Sequence, residues 1–242
     1  VPAQLEEGSG HYSYEGSELD VFTLATNWKA YWASRVERHV GSRVLEVGAG
    51  LGATARTLCK GQTKWIALEP DPTLARRMRA EISAGHLPAI CEVRVGKLED
   101  IDASECFDTI LYIDVLEHIQ DDRGELERAA ARLDQGGCVV VIAPAHQYLY
   151  TAFDKAIGHF RRYDRGMIAS LKPSGLKLSR FEYLDSVGLL ASLGNRWLLK
   201  SSSPSASQIM LWDRVMVPLS RCLDPLLQHR FGKSVLAVWS KN

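Results

Sequence analysis

Three glycines, Gly48, Gly50 and Gly52, stand at alternate positions behind an apolar run and ahead of a helix-like segment, in the stretch VLEVGAGLGATA. Glycine lets a backbone turn sharply and lets a ligand approach where a Cβ would collide. In an open parallel sheet such a loop holds its ligand beyond the carboxyl end of the strand. A dinucleotide loop has the form G-x-G-x-x-G, and Ala53 at its third position is tolerated. The competing feature is Glu46, an acid two residues ahead of the first glycine. An anion there opposes a pyrophosphate and suits a cofactor carrying an amino group or a sulfonium. Glu69, in WIALEPDP, is placed to accept the two hydroxyls of a ribose.

Two further stretches carry chemistry. IDVLEHI brings Asp114, Glu117 and His118 together, and 143–165 is dense in histidine, tyrosine and arginine. His146 or His159 could take a proton from a hydroxyl near neutral pH, and His118 could do the same or simply cap a helix start. Arg161 and Arg162 suit a forked grip on a carboxylate or phosphate, or else they tie the loop to Asp154 or Asp164. Tyr148 and Tyr163 flank them, and Tyr12, Tyr14, Trp28 and Trp32 could supply aromatic walls from the N-terminal side. No metal site is expected, because the cysteines are scattered and no ligand spacing stands out.

The elements that must position these residues follow from the pattern. Strand-like runs at 43–47, 64–68, 90–95, 109–113 and 139–143 alternate with helical stretches near 52–60, 72–84 and 121–133. That alternation predicts an α/β fold, a mostly parallel sheet with helices on both faces. Two more strands, 177–183 and 234–239, are separated by roughly fifty residues of helical character, too long for a plain connection. Leu24, Trp28, Trp32 and Val36 share a helix face within 19–40, as do Ile209, Trp212, Met216 and Leu219 further on. The division expected is a helical cover over 1–40, a core domain from 41–185 with 233–242, and a helical insertion over 186–232.

With 242 residues and 46% apolar content the chain can bury one core with appendages. Lysine plus arginine equals aspartate plus glutamate at 29 each, so no basic field favours nucleic acid. Five scattered cysteines, odd in number and never spaced as C-x-x-C, argue for a reducing compartment, and EEGSG reads as a flexible lead-in. No apolar run reaches spanning length and no signal pattern opens the sequence, so a cytoplasmic monomer or homodimer is expected, with at most weak contact to a membrane surface or lipid-linked substrate.

Taken in order, VLEVGAGLG, ALEPDP, VRVGKLEDI, FDTILYIDVLEHI and LDQGGCVVVIAP resemble the motifs of class I S-adenosylmethionine-dependent methyltransferases, over about residues 44–143. The pattern D-x-x-x-G-H-x-R-R-Y at 154–163 is similar to that of a bacterial small-molecule subset of types 11 and 12. The resemblance implies a Rossmann-like sheet of seven strands with an antiparallel last strand, and S-adenosylmethionine as cofactor, leaving S-adenosylhomocysteine. It implies a cofactor site of Glu46, Gly48, Ala49, Gly50, Gly52, Glu69, Pro70 and Asp114. Adenine would lie against Lys97, Leu98 and Glu99, where the family's common G-D-A is replaced. The N-P-P-Y of nucleobase-amine methylation and the Asp-Asn pair of metal-dependent catechol methylation are both missing. The leading expectation is therefore methyl transfer to an oxygen of a small, anionic acceptor, with His146, His159 or His118 as base. Tyr14, Trp28, Tyr148, Arg161, Arg162 and Tyr163 are the expected substrate contacts. Methylation at nitrogen or carbon, a nicotinamide oxidoreductase and a non-catalytic cofactor-binding subunit are the alternatives.

Overall fold

The computed structural model describes residues 22–198 and 205–241. Its centre is a seven-stranded sheet of β1 (Arg43–Val47), β2 (Lys64–Glu69), β3 (Cys91–Val95), β4 (Phe107–Ile113), β5 (Leu133–Pro144), β6 (Leu176–Leu184) and β7 (Ser234–Lys241), in the order β3-β2-β1-β4-β5-β7-β6. The pairs joining β3, β2, β1, β4 and β5 are parallel, and β7 runs antiparallel to both β5 and β6. The expected α/β architecture is therefore the observed one. β5 starts six residues ahead of its predicted beginning, because Phe107 pairs with Leu133 before the register shifts at Thr109.

Alternation along the strands explains why both faces are dry. Val44, Trp65, Leu111, Val140 and Val238 face one layer, which also holds Ala55 and Leu58 of α2 (Ala53–Leu58) and Met78 of α3 (Pro72–Ser83). Their neighbours Leu45, Ile66, Ile110, Val139 and Trp239 face the other, against Leu126 and Ala129 of α4 (Asp122–Ala131) and Ile168 of α6 (Arg165–Leu171). Helices on both faces are what allow strands with hardly any polar position. Between β5 and α6 the chain adds the short α5 (Ala152–Ala156).

The N-terminal helix, α1 (Thr26–Val36), is shorter than the predicted 19–40 and ends in a 3-10 turn. Trp28, Trp32 and Val36 are buried as expected, whereas Leu24 precedes the helix and is about half exposed. Tyr12 and Tyr14 lie outside the described residues. Between β6 and β7 come α7 (Ser186–Leu198), α8 (Ala206–Leu211), a π-helical turn (Trp212–Met216) and α9 (Val217–Leu226). The π turn corrects the predicted face: a wider turn sets the following residues back by about one position, so Ile209 and Trp212 stay buried while Leu219 emerges.

Three buried aspartates fasten these helices to one another. Ala25, at the N-cap of α1, offers no side-chain cap; instead Asp213 accepts from the backbone N–H groups of Asn27 (3.1 Å) and Trp28 (2.8 Å), a remote carboxylate completing the helix N-terminus. Asp224 accepts from the Tyr31 hydroxyl (2.6 Å) and the N–H groups of Asp185 and Ser186. Asp185 in turn accepts from Trp212 Nε1 (2.7 Å), the Ser220 hydroxyl (2.6 Å) and the Gly188 N–H. Replacing Asp224 with alanine strands three buried donors, and a loss of about 2–4 kcal/mol is expected in urea unfolding. Asp224→Asn keeps one acceptor oxygen and should lose clearly less.

Candidate active site

The glycine loop leaves β1 at the carboxyl edge of the sheet, and its backbone requires glycine. Gly48, Gly50 and Gly52 have φ values of 68°, 55° and 77°, and a Cβ on Gly48 would stand 2.6 Å from a Val115 methyl. Beside Gly50 nothing lies within 4 Å of where a Cβ would be, so that backbone is bare toward open space. Glu69 holds the loop in place: it is buried, one oxygen accepts from the Gly50 N–H (2.7 Å) and the other from the Asp71 N–H (2.9 Å). Burial nonetheless raises its pKa.

A cavity of about 890 Å³ begins at this loop, bordered by Gly48, Ala49, Gly50 and Leu51. It runs under Trp28 and Trp32 of α1 and under Trp212 and Met216, and ends at Asp114, Glu117, His118 and His159. Its wall is more apolar than polar. Asp114, in a left-handed conformation (φ 55°) behind β4, has its carboxyl pushed up to about 6 by burial, with His159 and Lys233 pulling the other way. Glu117 is fully buried, and neither of its oxygens has a hydrogen-bond partner among the described residues. Burial and the nearby Asp114 carboxylate hold it well above the usual carboxylate range, which favours its protonated form. Burial takes His118 down to about 4, and His159 packs edge-on against it at 4.5 Å between ring centres.

His159 is the most organised of these groups. Its Nδ1 lies 3.0 Å from Asp154 Oδ1, and Asp154 also accepts from both Nε and Nη2 of Arg162 and from Thr151. Burial would raise the Asp154 pKa, but the hydrogen bonds from His159 and Arg162 outweigh it and keep the carboxylate charged. Facing a carboxylate, Nδ1 carries the proton, which leaves Nε2 as the basic nitrogen, 3.8 Å from Glu117 Oε1. One ligand atom each from Glu117, His118 and His159 also come within 4.8 Å of one another, a spacing that a divalent cation could bridge.

Several expected site residues stand elsewhere. Glu46 does not border the cavity: it faces the interior, accepts from Trp65 Nε1 (2.9 Å) and pairs with Thr54, and burial pushes it to about 7. Its charge is therefore not presented to a ligand. Glu69, Pro70, Lys97, Leu98 and Glu99 lie by the ends of β2 and β3 outside the cavity, and Leu98 packs into the core. His146 is also outside, stacked between Tyr148 and Tyr183 with Nε2 3.0 Å from the Gly232 carbonyl. The arginine pair is already engaged. Arg161 binds Asp122 and the Gln120 carbonyl and lines a separate cleft of about 310 Å³ with the buried Tyr163, while Arg162 is forked onto Asp154. Arg162 thus makes the expected tie to Asp154 while still bordering the large cavity, whereas Arg161 meets Asp122 rather than Asp154 or Asp164. Of the aromatic walls, Trp28 and Trp32 are in place. Sequence reading named Glu117 without giving it a role and missed Lys233, whose ammonium lies over the Trp212 ring (3.8 Å) in the cavity wall. Nothing local marks Lys233, which reaches the site only because β7 inserts beside β5.

Fold and site together define a class I methyltransferase architecture, and the comparisons agree. Residues 45–139 match the family model described as "Methyltransferase domain". It is similar to the ubiquinone biosynthesis O-methyltransferases of Rhodopseudomonas palustris (31% identical over 101 residues) and Bradyrhizobium diazoefficiens (32% over 101 residues). Each match spans 42% of this chain and only 39% of the relative. Among solved structures, coclaurine N-methyltransferase with S-adenosylhomocysteine bound superposes at TM-score 0.60 and 12% identity, covering 98% of this chain and 77% of that one. The [4+2]-cyclase SpnF does so at 0.58 and 14%, covering 97% and 84%. A cyclase among the neighbours shows that the fold does not fix the reaction.

The buried acid behind the loop makes stability pH-dependent. Glu46 is raised from an ordinary value near 4.5 to about 7, so its contribution is complete at low pH and is lost as pH rises through that window. Glu46→Gln should remove on the order of 3 kcal/mol from the fall in unfolding free energy between those values. Urea titrations of both proteins across that pH range check it; parallel curves would mean that the carboxyl is not buried as described.

Proposed function

We propose that this chain transfers a methyl group from S-adenosylmethionine to a hydroxyl oxygen of a small, largely apolar acceptor, with residues 22–40 and 186–232 serving as a cover on the core domain. The observation that carries this reading is the single cavity joining the bare glycine backbone to the His159 cluster beneath tryptophan walls. The glycine loop fits the cofactor, since it offers backbone at close approach and Glu69 fixes its shape. When bound, the cofactor supplies a methyl group on a sulfonium, an electrophile that needs no further activation.

The chain's own residues supply position, dryness and a proton acceptor. Trp28, Trp32 and Trp212 close the cavity over the reacting atoms, and holding the acceptor oxygen in line contributes much of the rate. A hydroxyl arrives protonated. His159 Nε2, aligned by Asp154, would accept that proton as the acceptor oxygen receives the methyl group that the bound cofactor would supply and release as its thioether product. Glu117, whose carboxyl is disposed by burial to hold its proton, can donate a hydrogen bond to the acceptor. The names of the R. palustris and B. diazoefficiens relatives support oxygen as the acceptor atom. The commitment of Arg161 and Arg162 removes the reason to expect an anionic one.

Calorimetry with S-adenosylmethionine, S-adenosylhomocysteine and NAD is the first test; micromolar binding of the two adenosyl ligands and none of NAD is expected, and NAD binding would overturn the reading. Methyl transfer from labelled cofactor to a panel of hydroxylated aromatic compounds is the second. His159→Ala should lower turnover roughly 10²–10⁴-fold while S-adenosylhomocysteine affinity stays unchanged. Turnover should also survive dialysis against EDTA. Loss that Mn²⁺ restores would instead make Glu117, His118 and His159 a cation site and His159 a ligand rather than a base.

A further inference from the structure

The helical run between β6 and β7 has a second face that the site does not use. Leu211, Val215, Leu219, Leu223 and Leu226 follow one another at steps of four, four, four and three residues, and they are between 42% and 78% exposed. At about 1.5 Å per residue this is a ladder roughly 22 Å long, and it exists because the π turn brings Leu219 out of the buried face. Leu190 of α7, Leu227 and Phe231 are exposed as well. A set of this size on one face is more than the scattered apolar exposure usual on a protein surface.

Charge on the same stretch is one-sided. Between 206 and 232 the acids are Asp213 and Asp224, and both are buried against backbone donors. The exposed charges are Arg214, Arg221 and Arg230, and none of them makes an ion pair among the described residues. The surface therefore presents leucine and arginine with no exposed carboxylate. A second copy docked through this same face would offer these arginines no exposed carboxylate from the stretch. An anionic lipid surface matches both components: apolar side chains enter the acyl boundary while guanidinium groups reach the phosphates. No described helix is long and apolar enough to cross a membrane, so contact would be peripheral.

The ladder also meets the cavity. Leu211 belongs to both, and Gln208, Trp212 and Met216 of the same run form the cavity wall. We infer that this helical face docks on an anionic lipid bilayer and that the acceptor is an amphiphile, with an apolar body and a hydroxyl-bearing head, entering the cavity from that surface. The docking stands on the exposed face alone; the acceptor class rests on the methyl-transfer reading above.

The test is flotation of the full chain with phosphatidylcholine vesicles, with and without phosphatidylglycerol. Binding to the anionic vesicles is expected, weakened by salt and weak or absent on the neutral ones. Leu219→Ser with Leu223→Ser should reduce it about tenfold or more, and Arg214→Gln with Arg221→Gln should remove the preference for anionic lipid. S-adenosylhomocysteine calorimetry on the same variants should be unchanged, which shows that the core is folded. No flotation of a protein that binds S-adenosylhomocysteine would overturn the proposal. So would a dimer in sedimentation that Leu219→Ser dissociates, which assigns the face to a second copy. Vesicle binding without any adenosyl-ligand binding would leave the docking standing and defeat the methyltransferase reading and the acceptor class with it.

Discussion

The enclosed cavity depends on the satisfaction of three buried aspartates. Asp185, Asp213 and Asp224 have nearly no contact with solvent, and each would be costly there without donors. Each finds them on a different element from its own: Asp213 on the first turn of α1, Asp224 on Tyr31 and the start of α7, Asp185 on Trp212 and Ser220. A hydrophobic contact between α1 and the helices before β7 could slide. A carboxylate bonded to two or three directed donors cannot, and so Trp28 and Trp212 meet at a ring separation of 5.8 Å above the glycine loop.

The same economy of charge shapes the far end of the cavity. Asp154 is the carboxylate held in its charged form there, bonded by Arg162 and by His159 Nδ1. Glu117 and Asp114 stand a short way off in surroundings that oppose ionisation. Neighbouring carboxyl groups pushed toward opposite protonation states are what acid–base chemistry at neutral pH requires. Arg161 and Arg162 contribute by fixing the loop that carries His159. Each guanidinium already meets a carboxylate, Asp122 for Arg161 and Asp154 for Arg162.

The outer face of the helices before β7 follows from the inner one. Burying Trp212, Ser220 and Asp224 on one side of a single continuous run consigns the leucines between them to the other side. Asp213 and Asp224 are drawn inward by α1 and α7, which strips the outer face of negative charge. The buried face that lines the cavity and the exposed leucine face are thus two sides of one element.

Much of this protein was legible from local pattern. Strand positions, both-face burial and the glycine loop follow from periodicity and from the steric needs of residues with positive φ, which neighbours in sequence impose. The importance of IDVLEHI and of the loop carrying His159 was visible in residue type. What tertiary structure decided was direction and partnership. It turned Glu46 toward Trp65 and away from the cavity, moved His146 out between two tyrosines, and set His159 beside Asp154 at the cavity. It assigned the arginines to Asp122 and Asp154, brought Lys233 in beside Trp212, and used a π turn to rotate Leu219 outward. Composition and spacing state which groups a segment can offer; which of them meets a partner depends on distances between segments far apart in the chain, and those exist only once the sheet and its covering helices have closed.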